Sequence, residues 1–354
     1  MVGNDDARHS GTSQHSDVEH RDIERDVVVI GGGAAGLTAA ITLARFDRSV
    51  EVIDAERPRN APAEGVHNLL GHDGIPPGRL LASGREELRR FGGRITVDTA
   101  VGATVADGLF TVAPASGGRR VARRLIVTSG VRDVLPDVPG LAARWGRDVL
   151  HRPYRHGFEV RHQAIGVLAT NPAAAAHQAQ LFRELTEHVV VLAHTAAPLT
   201  AEHLEQLEAL DVRVVEGEVT SIEIDDSDRL SGVRLADGRV IACRALVVAP
   251  QTDVSNDVLD ALGASRSDDH GAPGGYTHDE SGATPATGVW VAGNVADPFD
   301  PVVLASAAGL EAAAAVNADL MTEHVHAAVA AHRAASTGTR PGHPIARPDR
   351  TVTP

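Results

Sequence analysis

The sequence predicts an α/β fold with parallel sheets, on three observations. A strand, a glycine turn, a helix and a second strand follow one another from residue 26, and a second unit of the same plan begins near Gln163. A last apolar strand then runs through Gly293-Asn294 into a long Ala-rich helix. Alternation of this kind builds parallel sheets covered by helices on their faces.

The first unit carries the most information. Its strand is the apolar run 27–30, its helix 37–44, and between them stand Gly31, Gly33 and Gly36 in G-x-G-x-x-G spacing, with Ala34 and Ala35 inside the motif. The second strand, 49–53, ends on Asp54, eighteen residues after Gly36, followed by Ala55. Each glycine has a job: Gly31 for a sharp turn, Gly33 for close approach of a pyrophosphate, Gly36 for helix–strand packing. The diphosphate rests on unpaired N–H groups at the positive end of the helix, and Asp54 accepts hydrogen bonds from a ribose diol. An adenine dinucleotide is the predicted ligand.

Composition narrows the rest. With 354 residues the chain suffices for two domains with cores of their own. A net charge of −14 argues against nucleic acid and anionic membrane as partners. No uninterrupted apolar run approaches the ~20 residues of a bilayer crossing. Residues 1–25 are polar and acidic, without the marks of a signal or transit peptide, so a cytoplasmic location is expected. There is no lysine among the 33 basic residues, which excludes Schiff-base and P-loop lysine chemistry. The single cysteine, Cys243, excludes an internal disulfide, a Cys-x-x-Cys pair and a cysteine zinc site. The 18 histidines show no metal-ligand spacing, and no metal is expected.

Along the chain, a proline-rich loop at 56–78 leads to a helix at 80–91 stopped by Gly92-Gly93. Strands follow at 95–97, 109–112 and 121–127, the last ending on Thr128-Ser129-Gly130. The second unit has strand 164–168, a Thr170-Asn171-Pro172 turn, helix 173–185 and strand 189–192. A helix capped by Thr200, strands 212–215 and 219–224, a hairpin of 232–235 with 240–242, and strand 245–248 complete it. Strand 289–292 and helix 302–320 close the ordered part. The domain plan is therefore a disordered tail at 1–24, a nucleotide-binding domain at 25–155 and 284–330, a similar domain inserted at 156–283, and a disordered tail at 331–354.

Over roughly residues 25–325 the chain resembles the low-molecular-weight thioredoxin reductases, FAD-dependent members of the pyridine nucleotide–disulfide oxidoreductases. The likeness rests on 27–36, Thr128-Ser129-Gly130, 135–141, 151–160 and 288–297. It implies two Rossmann-like three-layer domains, the second inserted into the first. It also implies FAD, held by the first glycine loop, Asp54, Ala55, Gly130, Gly293 and Asn294, with the helix beginning at Val302-Val303 aimed at the flavin C2 carbonyl and N1. Asn294 stands where the family usually has an aspartate. A homodimer is plausible on the same grounds.

Two departures bear on the chemistry. Where the family carries Cys-Pro-Tyr-Cys-His-Gly, this chain reads Arg152-Pro153-Tyr154-Arg155-His156-Gly157. Arginine is no nucleophile, so disulfide reduction through this site is excluded. Arg152 and Arg155 either serve negative charge beside the flavin or an anionic substrate, or else point to solvent and pair with acids such as Glu159. His151 and His156 are candidate acid–base groups or plain structural histidines. Cys243, expected mid-strand, reads as a buried inert thiol. The second departure is the phosphate turn of the inserted domain, 169–176, which has no glycine. Nor do arginines follow its second strand, where His194-Thr195-Ala196-Ala197-Pro198 stands. NADPH is therefore disfavoured and NADH left open. The expected function is an FAD-dependent oxidoreductase without a dithiol, acting on a small molecule or a redox partner protein. An NADH-dependent flavin oxidoreductase and a catalytically degenerate redox-sensing or scaffold flavoprotein are the alternatives.

Overall fold

The computed structural model describes residues 23–267 and 275–337. In the first unit β1 (Ile23–Ile30) leads into α1 (Ala34–Arg45), β2 (Val50–Asp54), α2 (Pro77–Arg90) and β3 (Arg94–Val97). β4 (Ala100–Ala106), β5 (Leu109–Pro114) and β6 (Arg120–Val127) form an antiparallel meander. These strands make one sheet in the order β3-β2-β1-β6-β5-β4. β1 pairs in parallel with both β2 and β6, Val29 opposite Val52 on one side and Ile126 on the other. The Val-Val-Val-Ile run is apolar throughout because both faces of the sheet are covered. On one face lie Leu37, Ala40 and Leu43 of α1; on the other lie Phe110, Val258, Leu259 and Tyr276.

The chain crosses through β7 (Arg132–Val134) into a second sheet. There β8 (Val149–Leu150), α3 (Pro153–Val160), β9 (Ile165–Leu168), α4 (Pro172–Arg183), β10 (Val189–Leu192), α5 (Ala201–Ala209) and β11 (Arg213–Val215) follow in turn. An antiparallel sheet of β12 (Val219–Ile224), β13 (Leu230–Leu235) and β14 (Val240–Ala242) covers one face, and β15 (Ala245–Val248) completes the parallel sheet in the order β11-β10-β9-β15-β8. The return strand β16 (Gln251–Asp253) pairs antiparallel with β7, so both crossings share one two-stranded ribbon. α6 (Asp257–Ala261), β17 (Arg266–Ser267), β18 (Gly275–Tyr276) and β19 (Val289–Val291) then rejoin the first unit, β19 pairing in parallel with β6. α7 (Val302–Thr337) ends the described chain. One Rossmann-like unit is thus inserted into another.

The elements differ from expectation in several places. The division expected at 155/156 falls earlier, because buried Val149 and Leu150 pair with β15 of the second sheet. The return expected at 283/284 comes at β16, since Val258, Leu259 and Tyr276 already pack on the first sheet. β4 has no counterpart among the expected strands: Ala and Gly fill four of its seven positions, and pairing to β5 carries it. Segment 153–160 is a helix with proline at its first position. Cys243 follows β14 rather than lying within it. The tail expected from 331 is helical as far as Thr337, whereas the one expected at 1–24 lies, but for its last two residues, outside the described residues. By length and composition α7 is apolar enough to cross a membrane. Its Ala312, Ala313, Val316 and Leu320 nevertheless lie in the core against α1.

α7 and α1 meet backbone to backbone at Gly309, where an added Cβ would sit 2.2 Å from the Ala35 carbonyl oxygen. Gly309→Ala should therefore destabilise the protein by ~2 kcal/mol, read as a fall of several degrees in Tm. Gly78→Ala, in open space within α2, should instead stabilise by ~0.5 kcal/mol. Equal melting temperatures for the two variants would contradict this packing.

Candidate functional site

A single cleft runs from the α1 turn to the start of α3, with β7, α7 and the 56–67 loop along its walls. At its first end Gly31 has φ +109°, and a Cβ there would lie 2.4 Å from the Thr128 carbonyl oxygen. Gly36 is closer still, its Cβ position 1.9 Å from the Gly31 carbonyl oxygen. Gly33 meets nothing within 4 Å and faces the cleft. It is the N-cap of α1 and supplies no side-chain cap, so the helix opens on amides without a local acceptor. An open cradle that a Cβ would fill, beside those amides, fits a dinucleotide diphosphate. Asp54, buried at the end of β2, lies against Gly32. Its carboxylate accepts Arg85 Nη2 at 2.8 Å and the Glu56 amide at 3.1 Å, which fixes it at the cleft wall.

Further along, Gly293 has φ +70°, and a Cβ there would lie 2.7 Å from that of Ala35. The start of α7 thereby reaches the same cleft, and two helix N-termini converge on it. Asn294 Nδ2 donates to the carbonyls of Asp297 at 3.0 Å and Asp300 at 3.1 Å, holding the turn before α7 and leaving its amide oxygen as an acceptor. Gly31, Gly33, Ala34, Ala35, Asp54, Gly130, Gly293, Asn294 and Val302 all line the cleft, as do His151, Arg155 and His156. Gly36, Ala55, Val303 and Arg152 do not. Gly36 is closed off by Gly31, and Val303 is on the exposed side of α7.

The two arginines behave differently. Arg152 places its guanidinium 4.4 Å from the Phe299 ring centroid, and its Nη1 donates to the Phe299 carbonyl at 3.3 Å. Arg155, on the first turn of α3, donates from Nη2 to the Asp300 carbonyl at 2.9 Å. Neither pairs with Glu159, which lies 3.7 Å from His67 Nε2 instead. Burial, with Arg152 and Arg155 close by, pushes His151 down to about 3, and burial also lowers His156. His151 is therefore neutral near pH 7, with no proton of an imidazolium to give. Its ring lies 6.4 Å from that of Trp145.

Several residues of the site were not foreseen. Arg59 grips Asp133 of β7 with Nε at 2.9 Å and Nη2 at 2.6 Å, and its Nη1 donates to Pro298 at 2.6 Å. Asp300 lines the cleft, and burial together with Asp297 pushes its carboxyl up to about 6. The available signals were the Arg57-Pro58-Arg59 run just after Asp54 and the Asp297-Pro298-Phe299-Asp300-Pro301 turn before the last helix.

The inserted unit is built otherwise. Asn171 Oδ1 accepts the Ala174 amide at 3.0 Å, so α4 is capped by its own side chain. Thr170 Oγ1 donates to the Ala249 carbonyl at 2.7 Å, and His194 Nδ1 accepts the Val219 amide at 3.1 Å. Cys243 is buried with its thiol pushed up to about 12, far from a reactive thiolate.

Residues 25–330 match the pyridine nucleotide-disulphide oxidoreductase family. The chain is 30% identical over 307 residues to the thioredoxin reductase sirT of Leptosphaeria maculans, covering 82% of this chain and 93% of that protein. Among solved structures it is similar to HlmI, with 40% identity, a TM-score of 0.84 and coverage of 89% of this chain and 98% of that one. An oxidoreductase from Agrobacterium tumefaciens shows 32% identity and a TM-score of 0.78, over 85% and 99% of the two chains.

Asp300 offers a test of this electrostatic arrangement. Its folded pKa of about 6 exceeds the ordinary 3.8. The stability linked to its proton is complete below the lower value and lost as pH rises through the upper one. Asp300→Asn should therefore stabilise the protein at pH 7.5, by ~1 kcal/mol after allowance for solvent screening of a half-exposed carboxylate. The gain should fade as pH falls from about 6 toward 4. Melting curves giving one constant difference from pH 4 to 7.5 would contradict it.

Proposed function

The chain belongs to the pyridine nucleotide-disulphide oxidoreductase family of FAD-dependent enzymes, and from that premise we propose that it transfers electrons or hydride at FAD without a redox dithiol. The observation that carries this reading is the start of α3, where Arg152 and Arg155 occupy the positions of a Cys-x-x-Cys pair, while the only cysteine is buried elsewhere. FAD when bound supplies the one- and two-electron chemistry. The protein supplies position and charge. The open amides of α1 take the diphosphate, Asp54 accepts from the ribose hydroxyls, and Arg85 keeps that carboxylate in place. Asn294 holds the turn that presents Asp300, a carboxyl that exchanges its proton near neutral pH. Reduction by NADPH is disfavoured, because no arginine follows β10 to meet a 2′-phosphate. NADH faces a helix whose first amides Asn171 already satisfies. A substrate or a partner protein is then the electron donor.

Purified protein should carry or rebind FAD in a one-to-one ratio, and dithionite should bleach it. NADPH-dependent reduction of thioredoxin or of an aromatic disulfide should not exceed that of free FAD. Turnover of either disulfide at catalytic rates would refute the proposal, and so would failure to bind FAD. Rapid anaerobic bleaching by NADH would transfer the donor role to that nucleotide.

A further inference from the structure

We propose that the part of the cleft between Arg155, His156, His67 and Asp300 binds the carboxylate of a small organic substrate, with the Arg155 guanidinium as its anchor. The proposal rests on the flavoenzyme reading above and names the substrate class of that same site. Three guanidiniums gather here, and two of them are committed. Arg59 is held by both oxygens of Asp133, and Arg152 lies over the Phe299 ring outside the cleft lining. Arg155 lines the cleft and has one protein acceptor among the described residues, the Asp300 carbonyl, reached by Nη2. No carboxylate lies within ion-pair distance of it among those residues.

A guanidinium carries five N–H donors in a planar fork. One bond to a carbonyl leaves most of that fork available, and its natural partner is a planar carboxylate taken bidentately. The charge balance points the same way. Burial and the repulsion of Arg59 and Arg152 lower the Arg155 pKa to about 10, more than Asp133 and Asp300 restore. An arriving anion compensates a half-buried cation that the protein leaves under-compensated. The size of that charge is also set. Of the three guanidiniums gathered at this end of the cleft only that of Arg155 is uncommitted among the described residues, and Asp300 beside it repels a second negative charge, so a monoanionic carboxylate is favoured over a phosphate dianion. His67 and His156, edge to face with centroids 6.4 Å apart, line the same stretch. Both rings offer an apolar body and His156 an N–H to the rest of such a molecule, whereas the His67 nitrogens face Asp73 at 3.2 Å and Glu159 at 3.7 Å.

The test is calorimetric titration of the purified protein, as isolated and after reconstitution with FAD, using benzoate, acetate and inorganic phosphate as probes. Benzoate should bind saturably, phosphate at least tenfold more weakly. Arg155→Met should weaken benzoate at least tenfold and Arg155→Lys by less, since the lysine keeps charge but not the fork. Arg161→Met, which removes a surface arginine stacked on Phe158, should leave benzoate affinity within twofold. Circular dichroism checks that each variant folds, and the lysine variant keeps the comparison decisive where the methionine variant does not. Absence of saturable benzoate binding in the wild type, equal affinity in Arg155→Lys, or tighter binding of phosphate would overturn the inference. Protein that binds FAD but no carboxylate would refute this inference alone. Protein that binds benzoate through Arg155 but never FAD would refute the flavoenzyme reading and keep the anion site.

Discussion

Everything at the nucleotide end of the molecule depends on how closely three backbones approach the first turn of α1. Gly31 and Gly36 touch across the turn, Gly293 comes against Ala35, and Gly309 of α7 lies over the Ala35 carbonyl. A side chain at any of these points would hold the elements apart. The turn is thus packed on the sides that face protein and left bare on the side that faces the cleft, where Gly33 opens to empty space. That asymmetry is what allows a helix end beside a packed core to keep its amides for a ligand.

The inserted unit repeats the plan and reverses the outcome. Both turns join a buried strand to a helix, yet α4 receives an asparagine cap and a proline where α1 receives glycines. A capped helix is a more stable end and a poorer anion site, because the same N–H cannot serve a side chain and a phosphate. The two units therefore differ in chemistry while sharing architecture, as sites rather than folds set function.

Arginine in place of a dithiol changes the character of the site between the units. A thiolate pair works by bond exchange, whereas a guanidinium works by charge and shape. His151 is kept neutral, the Asp300 carboxyl is pushed up to about 6, and Arg59 is neutralised by Asp133 on the crossing ribbon. Arg152 ties α3 to the turn before α7, so the docking of the inserted unit and the electrostatics of the cleft share one set of residues.

What the sequence alone determined is local: the strand–turn–helix at Gly31 to Gly36, the acid at Asp54, the missing dithiol, and the order of elements that inserts one unit into the other. Backbone conformation and short-range spacing encode these, so residues near in sequence suffice to read them. Tertiary structure decided the rest. Arg85 reaches Asp54 across 31 residues, Arg59 reaches Asp133 across 74, and Arg155 reaches Asp300 across 145. It likewise separated Arg152 from Arg155, three positions apart in sequence but facing a ring and a cleft respectively. It also carried the unit boundary back to Val149, because strand pairing rather than motif spacing assigns a segment to a sheet. Charge partners, burial and the pKa values they set arise from distances in space, to which no single stretch of sequence has access.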